Sequence, residues 1–220
     1  MTTPPQPPKL IVVGVSGGIG SGKSTAAREI CHAVDGHLID ADSIVSGLIQ
    51  SQEVVNDIVS EFGDAVCNPE RGISRHALGK LVFESDEARK RLEAILHPLV
   101  RQKIFSEMEI LASRHQTPRI ILDIPLLHEG GLDKLCDFIV FVDCPDEVRW
   151  QRVQQRNAWS KEHWQQREQM QIAIDSKKSM ADAILCNVSS LSELSRQVLD
   201  LIPRLNEIQP RPLSARWPVN

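Results

Sequence analysis

The sequence lacks several features that mark common classes of protein. It has no excess of positive charge, because 25 Lys and Arg stand against 29 Asp and Glu, a formal net charge of −4. A chain with this balance is not expected to bind nucleic acid or anionic lipid over its whole surface. We therefore expect a monomer or small homo-oligomer that acts on a small molecule.

Paired cysteines and long apolar runs are missing too. The five cysteines are scattered, with no CxxC pair and no spacing typical of a zinc site or a secreted disulfide framework. The longest early apolar run, Leu10 to Val13, stops at Gly14 and is too short to cross a membrane. The polar, proline-rich start does not resemble a signal peptide, so we expect a cytoplasmic protein with no membrane contact.

Strand and helix patterns alternate at both ends of the chain, as in a parallel β-sheet flanked by helices. The buried-strand patterns are LIVVGVS at 10–16, HLID at 37–40, RIILDIPLL at 119–127, FIVFVDCP at 138–145 and AILC at 183–186. A helix is predicted from Gly22, after the first strand, and an amphipathic helix from Leu191 to Leu205 closes the pattern. The predicted fold class is therefore α/β.

The middle of the chain has a different character, because its apolar residues recur with helical spacing. We predict a core of residues 10–42 and 118–205, interrupted by a helical domain at 43–117. The proline-rich ends are predicted to be a disordered tail at 1–9 and a loose tail at 206–220.

Residues 17–24 read GGIGSGKS and satisfy the phosphate-binding pattern G-x-x-x-x-G-K-[ST] between a predicted strand and helix. Glycines let the backbone point several N–H groups at an anion, and the positive end of the following helix reinforces their field. Lys23 would contact the β- and γ-phosphates, Ser24 would offer its hydroxyl to Mg²⁺, and Thr25 would reach the α-phosphate. The predicted nucleotide-binding residues of the loop are Gly17, Gly18, Gly20, Ser21, Gly22, Lys23, Ser24 and Thr25.

The loop predicts nucleotide binding but not its use, because motors, switches and kinases share it. The N/T-K-x-D and D-x-x-G runs of GTPases do not occur in the sequence, nor does the LSGGQ signature of transporter ATPases. A small-molecule kinase that uses ATP and Mg²⁺ is then the predicted function.

Acidic residues stand where two predicted strands end, at the edge of a parallel sheet where ligands gather. Asp40 and Asp42 follow the second strand, and one of them could accept or orient the proton of an attacking hydroxyl. Asp123 ends the run IILD, a position from which a carboxylate can hold Mg²⁺ directly or through water. Helix capping by Asp42 and a plain strand end at Asp123 are the alternatives.

A basic segment follows the fourth predicted strand. Residues 149–178 hold seven Lys or Arg against three acidic residues. Arg149, Arg152 and Arg156 share one face of a helix, so the segment, about 147–178, could close over ATP as a lid and bring guanidinium groups to the transferring phosphoryl group. An exposed charged helix is the alternative.

Two further residues are candidates for substrate contact. His97 precedes Pro98 inside a helical pattern, and either presents a polar side chain to substrate or marks a helix boundary. Pro125, after Asp123, either forms a wall near the substrate or belongs to the core. The predicted substrate contacts are Asp40, Asp42, His97 and Pro125, and the predicted metal-binding residues are Ser24, Asp42 and Asp123.

Several separate segments follow one another in the chain: GVSGGIGSGKST, LIDADSIV, ILHPLV, IILDIPLLHE, RVQQR, SKEHWQQRE and MADAILCN. Through these segments the chain resembles the dephospho-CoA kinases from Leu10 to about Ile202. The resemblance implies a P-loop kinase core, an inserted helical domain that binds the CoA substrate, and a mobile lid. It also implies a reaction, the last step of coenzyme A synthesis, in which ATP phosphorylates the ribose 3′-hydroxyl of dephospho-CoA to give CoA and ADP.

The resemblance implies roles for individual residues as well. Asp42 would be the base or would organise Mg²⁺, Arg152 and Arg156 would be lid arginines, and Asn187 would lie at the adenine end. The chain departs from the family pattern at Ser46, Asn157 and Ser189. The rival functions are a P-loop kinase acting on a nucleoside or nucleoside monophosphate, and a nucleotide-binding regulatory protein without transfer activity.

Overall fold

The computed structural model describes residues 9–68, 70, 72–114, 118–156 and 159–216. They form two compact units, one made of the residues up to Asp40 with those from Met108 onward, the other of Ala41–Glu107. Within these described ranges, no helix is both long and apolar enough to cross a membrane.

The first unit is built on a sheet whose central strand is buried along almost its whole length. The strands are β1 (Lys9–Gly17), β2 (His37–Asp40), β3 (Arg119–Asp123), β4 (Phe138–Asp143), β5 (Ala183–Cys186) and β6 (Arg211–Pro212). Five of them lie parallel in the order β2-β3-β1-β4-β5, and β6 pairs antiparallel with the start of β1. The predicted α/β fold with a parallel sheet is confirmed.

The helices of this unit include α1 (Lys23–Ala33), α6 (Asp146–Arg156), α7 (Lys161–Gln169), α8 (Ile174–Ser179) and α9 (Leu191–Asn206). Of these, α1, α8 and α9 pack against strands of the sheet, and α6 packs against α7. In α9 the buried residues Leu194, Val198, Leu201 and Leu205 recur with the helical period. They join Ala26, Ala27 and Ile30 of α1 in the core that covers β1. Helices α6 to α8 fill the segment predicted as a helical lid.

The second unit is helical, as predicted for the insertion after β2. It contains α2 (Ala41–Leu48), α3 (Gln52–Phe62), α4 (Arg75–Glu84) and the larger part of α5 (Asp86–Arg114). Val54, Val55, Ile58 and Leu96 belong to a core of its own. The unit ends at Glu107 rather than residue 117, because the last turns of α5, with buried Met108 and Ala112, belong to the first unit. Helix α5 also continues through Pro98, where the sequence suggested a helix boundary.

Two other features differ from the sequence prediction, namely the end of the third strand and three short turns. The strand predicted over 119–127 ends at Asp123, and a series of turns begins at Pro125, which has no N–H to donate to a sheet. Short 3-10 turns, which sequence periodicity did not indicate, occur at Asp64–Val66, Leu132–Leu135 and Leu213–Ala215.

The prediction of a loose tail after residue 205 is wrong for the part that is described. Strand β6 pairs with Lys9 and Leu10, and Leu213 and Arg216 are buried. Arg216 forms an ion pair of 2.6 Å with the buried Asp137 and donates to Leu135 O at 2.7 Å. One buried arginine therefore anchors the segment. The tail predicted at 1–9 lies outside the described residues except for Lys9, which is part of β1.

This anchor gives a stability prediction. We expect Arg216→Met to lower the free energy of unfolding by about 3 kcal/mol, because it leaves Asp137 buried with one fewer cation. Arg211→Met is the matched control, since Arg211 pairs with the same carboxylate but its side chain is 42% exposed, and about 1 kcal/mol or less is expected there. Urea unfolding of both variants measures the difference. Equal losses would show that Arg216 is not the anchor.

Candidate active site

The phosphate-binding loop follows the central strand, at the carboxyl edge of the sheet. Gly22 precedes α1 with a left-handed φ of 90°, and no side chain among the described residues caps that helix. A Cβ at Gly22 would lie 2.2 Å from Asn187 Nδ2, so only glycine fits the position. The uncapped N–H groups and the positive end of α1 make this edge a site for an anion.

Lys23 lies across the loop. Its Nζ donates to Gly17 O at 3.1 Å and to Gly18 O at 2.9 Å. Burial, together with the positive charge of Lys177, lowers the pKa of Lys23 to about 8. The ammonium group is therefore held in the loop by backbone carbonyls, and an incoming phosphate would stabilise its charged form.

Two carboxylates, Asp40 and Asp123, lie at the ends of β2 and β3, and the Ser24 hydroxyl lies near Asp123 at the start of α1. Asp123 is buried, lies near the Ser24 hydroxyl, and is the register partner of Asp40 on the neighbouring strand. Burial raises the pKa of Asp123 and the nearby charge of Asp40 raises it further, although the Ser24 hydroxyl opposes both effects. A cation placed here would relieve the repulsion between the two carboxylates.

These residues fit a magnesium ion that is held together with a nucleotide. The described residues contain no group of three or more His, Cys, Asp or Glu side chains placed to hold a metal alone. Mg²⁺ differs from metals that need such a cage, because it is usually held by one or two carboxylates plus substrate phosphates. Ser24 and Asp123 supply oxygens of that kind next to the loop.

Two predicted residues support the loop from outside it. Asn187 Nδ2 donates to Ser21 O at 2.8 Å, and Arg152 Nη1 donates to the same oxygen at 3.3 Å. Arg152 Nη1 also lies 3.4 Å from Cys144 Sγ. The structure thus places both residues at the loop, while the adenine contact predicted for Asn187 stays a prediction.

Two charged residues that were not assigned individual roles, Arg149 and Lys177, prove to be buried, and each has a partly buried glutamate as its partner. Arg149 donates to Ile19 O in the loop, and the N–H of the same residue, Ile19, donates to Glu168. Lys177 is buried and forms an ion pair of 2.7 Å with Glu129. The basic segment predicted positive charge in this region. The sequence does not show which carboxylate pairs with which cation, because the partners lie 19 and 48 residues apart.

The remaining predicted residues are not joined to the loop by the contacts described above. Asp42 is exposed in the first turn of α2, and His97 is exposed in α5. Pro125 is half-buried in the turn after β3, and Arg156 is exposed at the end of α6. Their functional roles stay predictions, and Asn157 lies outside the described residues.

Comparison with known proteins finds one family over most of the chain. A family model described as dephospho-CoA kinase matches residues 11–193. A dephospho-CoA kinase from Geobacillus kaustophilus is 34% identical over 203 residues, which cover 90% of this chain and 98% of the relative. One from Symbiobacterium thermophilum is 39% identical over 193 residues, which cover 85% of this chain and 78% of the relative.

Solved structures give the same picture. The structure of TT1252 from Thermus thermophilus has a TM-score of 0.73 at 33% identity, covering 89% of this chain and 98% of that one. A dephospho-CoA kinase from Campylobacter jejuni has a TM-score of 0.59 at 28% identity, covering 88% and 96%. A shikimate kinase from Acinetobacter baumannii, with a TM-score of 0.50 at 16% identity, is similar in fold alone.

Proposed function

The chain belongs to the dephospho-CoA kinase family, and from this premise we propose how its residues transfer the γ-phosphate of ATP to the ribose 3′-hydroxyl of dephospho-CoA. The observation that carries the proposal is the group formed by Lys23, Ser24 and Asp123 at the open N-terminus of α1. It combines an anion site, a cation for the phosphates and oxygens for a metal.

Lys23 neutralises the β- and γ-phosphates. Its ammonium is already held at the loop by Gly17 and Gly18, so the charge needs little movement to meet an incoming nucleotide. Arg152, which donates to Ser21 O in the loop, would add positive charge there. Such pre-placed charges stabilise the transition state because they need not reorganise as the phosphoryl group moves.

Ser24 and Asp123 would hold Mg²⁺, and that ion would offset the negative charge of the phosphates. Ser24 would offer its hydroxyl oxygen to the ion, and the buried Asp123 beside it would offer a carboxylate oxygen. Asp40, beside Asp123 in the sheet, adds negative charge that favours a cation at this place.

We assign the acceptor side to the second unit and to Asp42. The reacting 3′-hydroxyl oxygen forms a bond to the γ-phosphorus as the bond from that phosphorus to the bridging oxygen of ADP breaks. The hydroxyl proton passes to the Asp42 carboxylate. Support for this role comes from the DAD run at residues 40–42 and from the family, and the helical unit supplies the substrate domain that the family implies.

A panel of acceptors tests the function. The purified protein is incubated with Mg-ATP and, separately, with dephospho-CoA, AMP, uridine and pantothenate, and ADP formation is measured. We expect ADP to form rapidly when dephospho-CoA is the acceptor, but not with AMP, uridine or pantothenate. Rapid turnover of AMP or uridine, with none for dephospho-CoA, would favour the alternative kinase function. No transfer to any acceptor would favour a regulatory role.

The lowered pKa of Lys23 makes ATP binding depend on pH. Bound phosphates favour charged Lys23, so its pKa rises from about 8 when ATP binds and the protein takes up protons near that pH. The affinity for Mg-ATP should not depend on the charge of Lys23 below about pH 8, where the side chain is already protonated. Above that pH it should fall by up to about tenfold per pH unit.

Calorimetric titrations with Mg-ATP at pH 7, 8 and 9, each in two buffers of different ionisation enthalpy, measure both effects. Lys23→Arg is the control, because its side chain does not titrate in this range. The same pH slope in wild type and Lys23→Arg would contradict the assignment to Lys23.

A further inference from the structure

A buried ion pair lies between α6, α7 and the phosphate loop, and the roles proposed above do not use it. The Arg149 side chain is 1% exposed and pairs with Glu168 through both of its terminal nitrogens. The bond from Nη2 to Glu168 Oε2 measures 2.8 Å. We call these two residues the Arg149–Glu168 clamp.

The clamp holds one residue of the loop by both of its backbone polar groups. Arg149 Nη1 donates to Ile19 O at 3.1 Å, and Ile19 N donates to Glu168 Oε1 at 3.1 Å. Ile19 is the third residue of the GGIGSGKS loop. Its carbonyl and its N–H belong to different peptide planes, so the clamp fixes both peptides that flank the Ile19 Cα. Neither can rotate without breaking a bond to the clamp.

The residues around the clamp fit this arrangement closely. A Cβ at Gly18 would lie 2.4 Å from Arg149 Nη1, and one at Gly20 would lie 2.6 Å from the backbone oxygen of Arg149. The centroid of the buried Trp164 ring lies 5.1 Å from the Arg149 guanidinium carbon. Gly18 and Gly20, on either side of Ile19, therefore leave the space that Arg149 occupies, in addition to allowing the backbone to turn.

Stability alone does not explain the clamp. Removing two charges from water is costly, and replacing a buried ion pair by apolar residues of similar size is often neutral or stabilising. An apolar pair, however, cannot accept a hydrogen bond from Ile19 N or donate one to Ile19 O. The specific property of the clamp is thus its control of the loop backbone.

We propose that Arg149 and Glu168 are positioning residues that hold the Ile19 peptides in the orientation needed for phosphoryl transfer. They act through the loop backbone and couple its geometry to α6 and α7. The proposal rests on the kinase function proposed above. A loop that binds ATP but is misaligned by a fraction of an ångström loses turnover more than affinity.

Three variants test this role through kcat, KM for ATP and the melting temperature Tm. Glu168→Gln keeps an acceptor oxygen but loses the charge, and we expect kcat to fall about tenfold while KM changes less than about threefold. The double variant Arg149→Met with Glu168→Met removes both charges of the clamp and leaves only the exposed Asp146 without its arginine, so its Tm should stay near that of wild type while kcat falls at least about tenfold. Asp146→Asn is the matched control, because Asp146 lies 2.8 Å from Arg149 Nη2 but its side chain is 81% exposed, and its kcat should be nearly unchanged.

A double variant with wild-type Tm and wild-type kcat would overturn the proposal. If that variant does not fold, Glu168→Gln decides, and an unchanged kcat there overturns it equally. A second readout is independent of the reaction: the Ile19 amide proton resonance should move upfield in Glu168→Gln and stay in place in Asp146→Asn. An unmoved Ile19 resonance in Glu168→Gln contradicts the clamp, whereas a wild type inactive on dephospho-CoA contradicts only the proposed function.

Discussion

Lys23→Met should lower kcat with dephospho-CoA by about 10³-fold or more, the largest effect expected of any single substitution here. Methionine keeps an unbranched apolar stem, so the loop can retain its packing. What is lost is a positive charge placed in the loop, with its Nζ 2.9 Å from Gly18 O. Because charge accumulates on the phosphoryl oxygens as the bond to ADP breaks, the loss falls mainly on the transition state.

The matched control is Lys134→Met. Lys134 is an exposed lysine of the same unit, in the 3-10 turn that precedes β4, and it therefore lies away from the carboxyl edge of the sheet. Its turnover should be within about twofold of wild type, as expected for a surface substitution far from the site. Retention of more than a tenth of wild-type kcat by Lys23→Met would contradict the role given to Lys23.

Asp42→Asn should lower kcat by about 10²-fold or more while Mg-ATP still binds. An amide has nearly the shape of a carboxylate but cannot take the proton of the 3′-hydroxyl. Asp42, in the first turn of α2, is not one of the residues proposed to hold Mg-ATP, so the ATP affinity should be nearly unaffected.

Asp40→Asn separates the two carboxylates of the DAD run. Asp40 is the register partner of Asp123, so its replacement should raise the Mg²⁺ concentration needed for half-maximal turnover more than it lowers kcat at saturating Mg²⁺. Single-turnover kinetics on both variants over a range of Mg²⁺ concentrations measure this. Near-normal turnover in Asp42→Asn, with a large loss in Asp40→Asn, would move the role of the base to Asp40.

The parts of the fold that local rules determine could be predicted from the sequence. The glycine loop, its lysine and the helix after it follow from a short pattern, and the strand from Ala183 to Cys186 was predicted to the residue. Asp123 and Ser24 lie 99 residues apart in sequence, yet their proximity was predicted, because strand ends in a parallel sheet meet at one edge.

Other features depend on pairings that no pattern specifies. Arg149 was grouped with two neighbours on one helix face, but only the structure shows that it is buried and meets Glu168. Arg216 was placed in a loose tail because its surroundings have no helical or strand period, although its ion pair with Asp137 and its bond to Leu135 O hold it in the core. Both cases turn on where one long charged side chain finds a partner, which periodicity does not record.

The most direct test of the central claim is the stoichiometry and position of transfer by the wild-type protein. Mg-ATP and dephospho-CoA are mixed in equal amounts with the purified protein, and the phosphorus resonances are followed by NMR. We expect one 3′-phosphomonoester of CoA to appear for each ADP formed, with no free phosphate. Formation of ADP with free phosphate and no new phosphomonoester would contradict the claim that this site transfers phosphate to the ribose of dephospho-CoA.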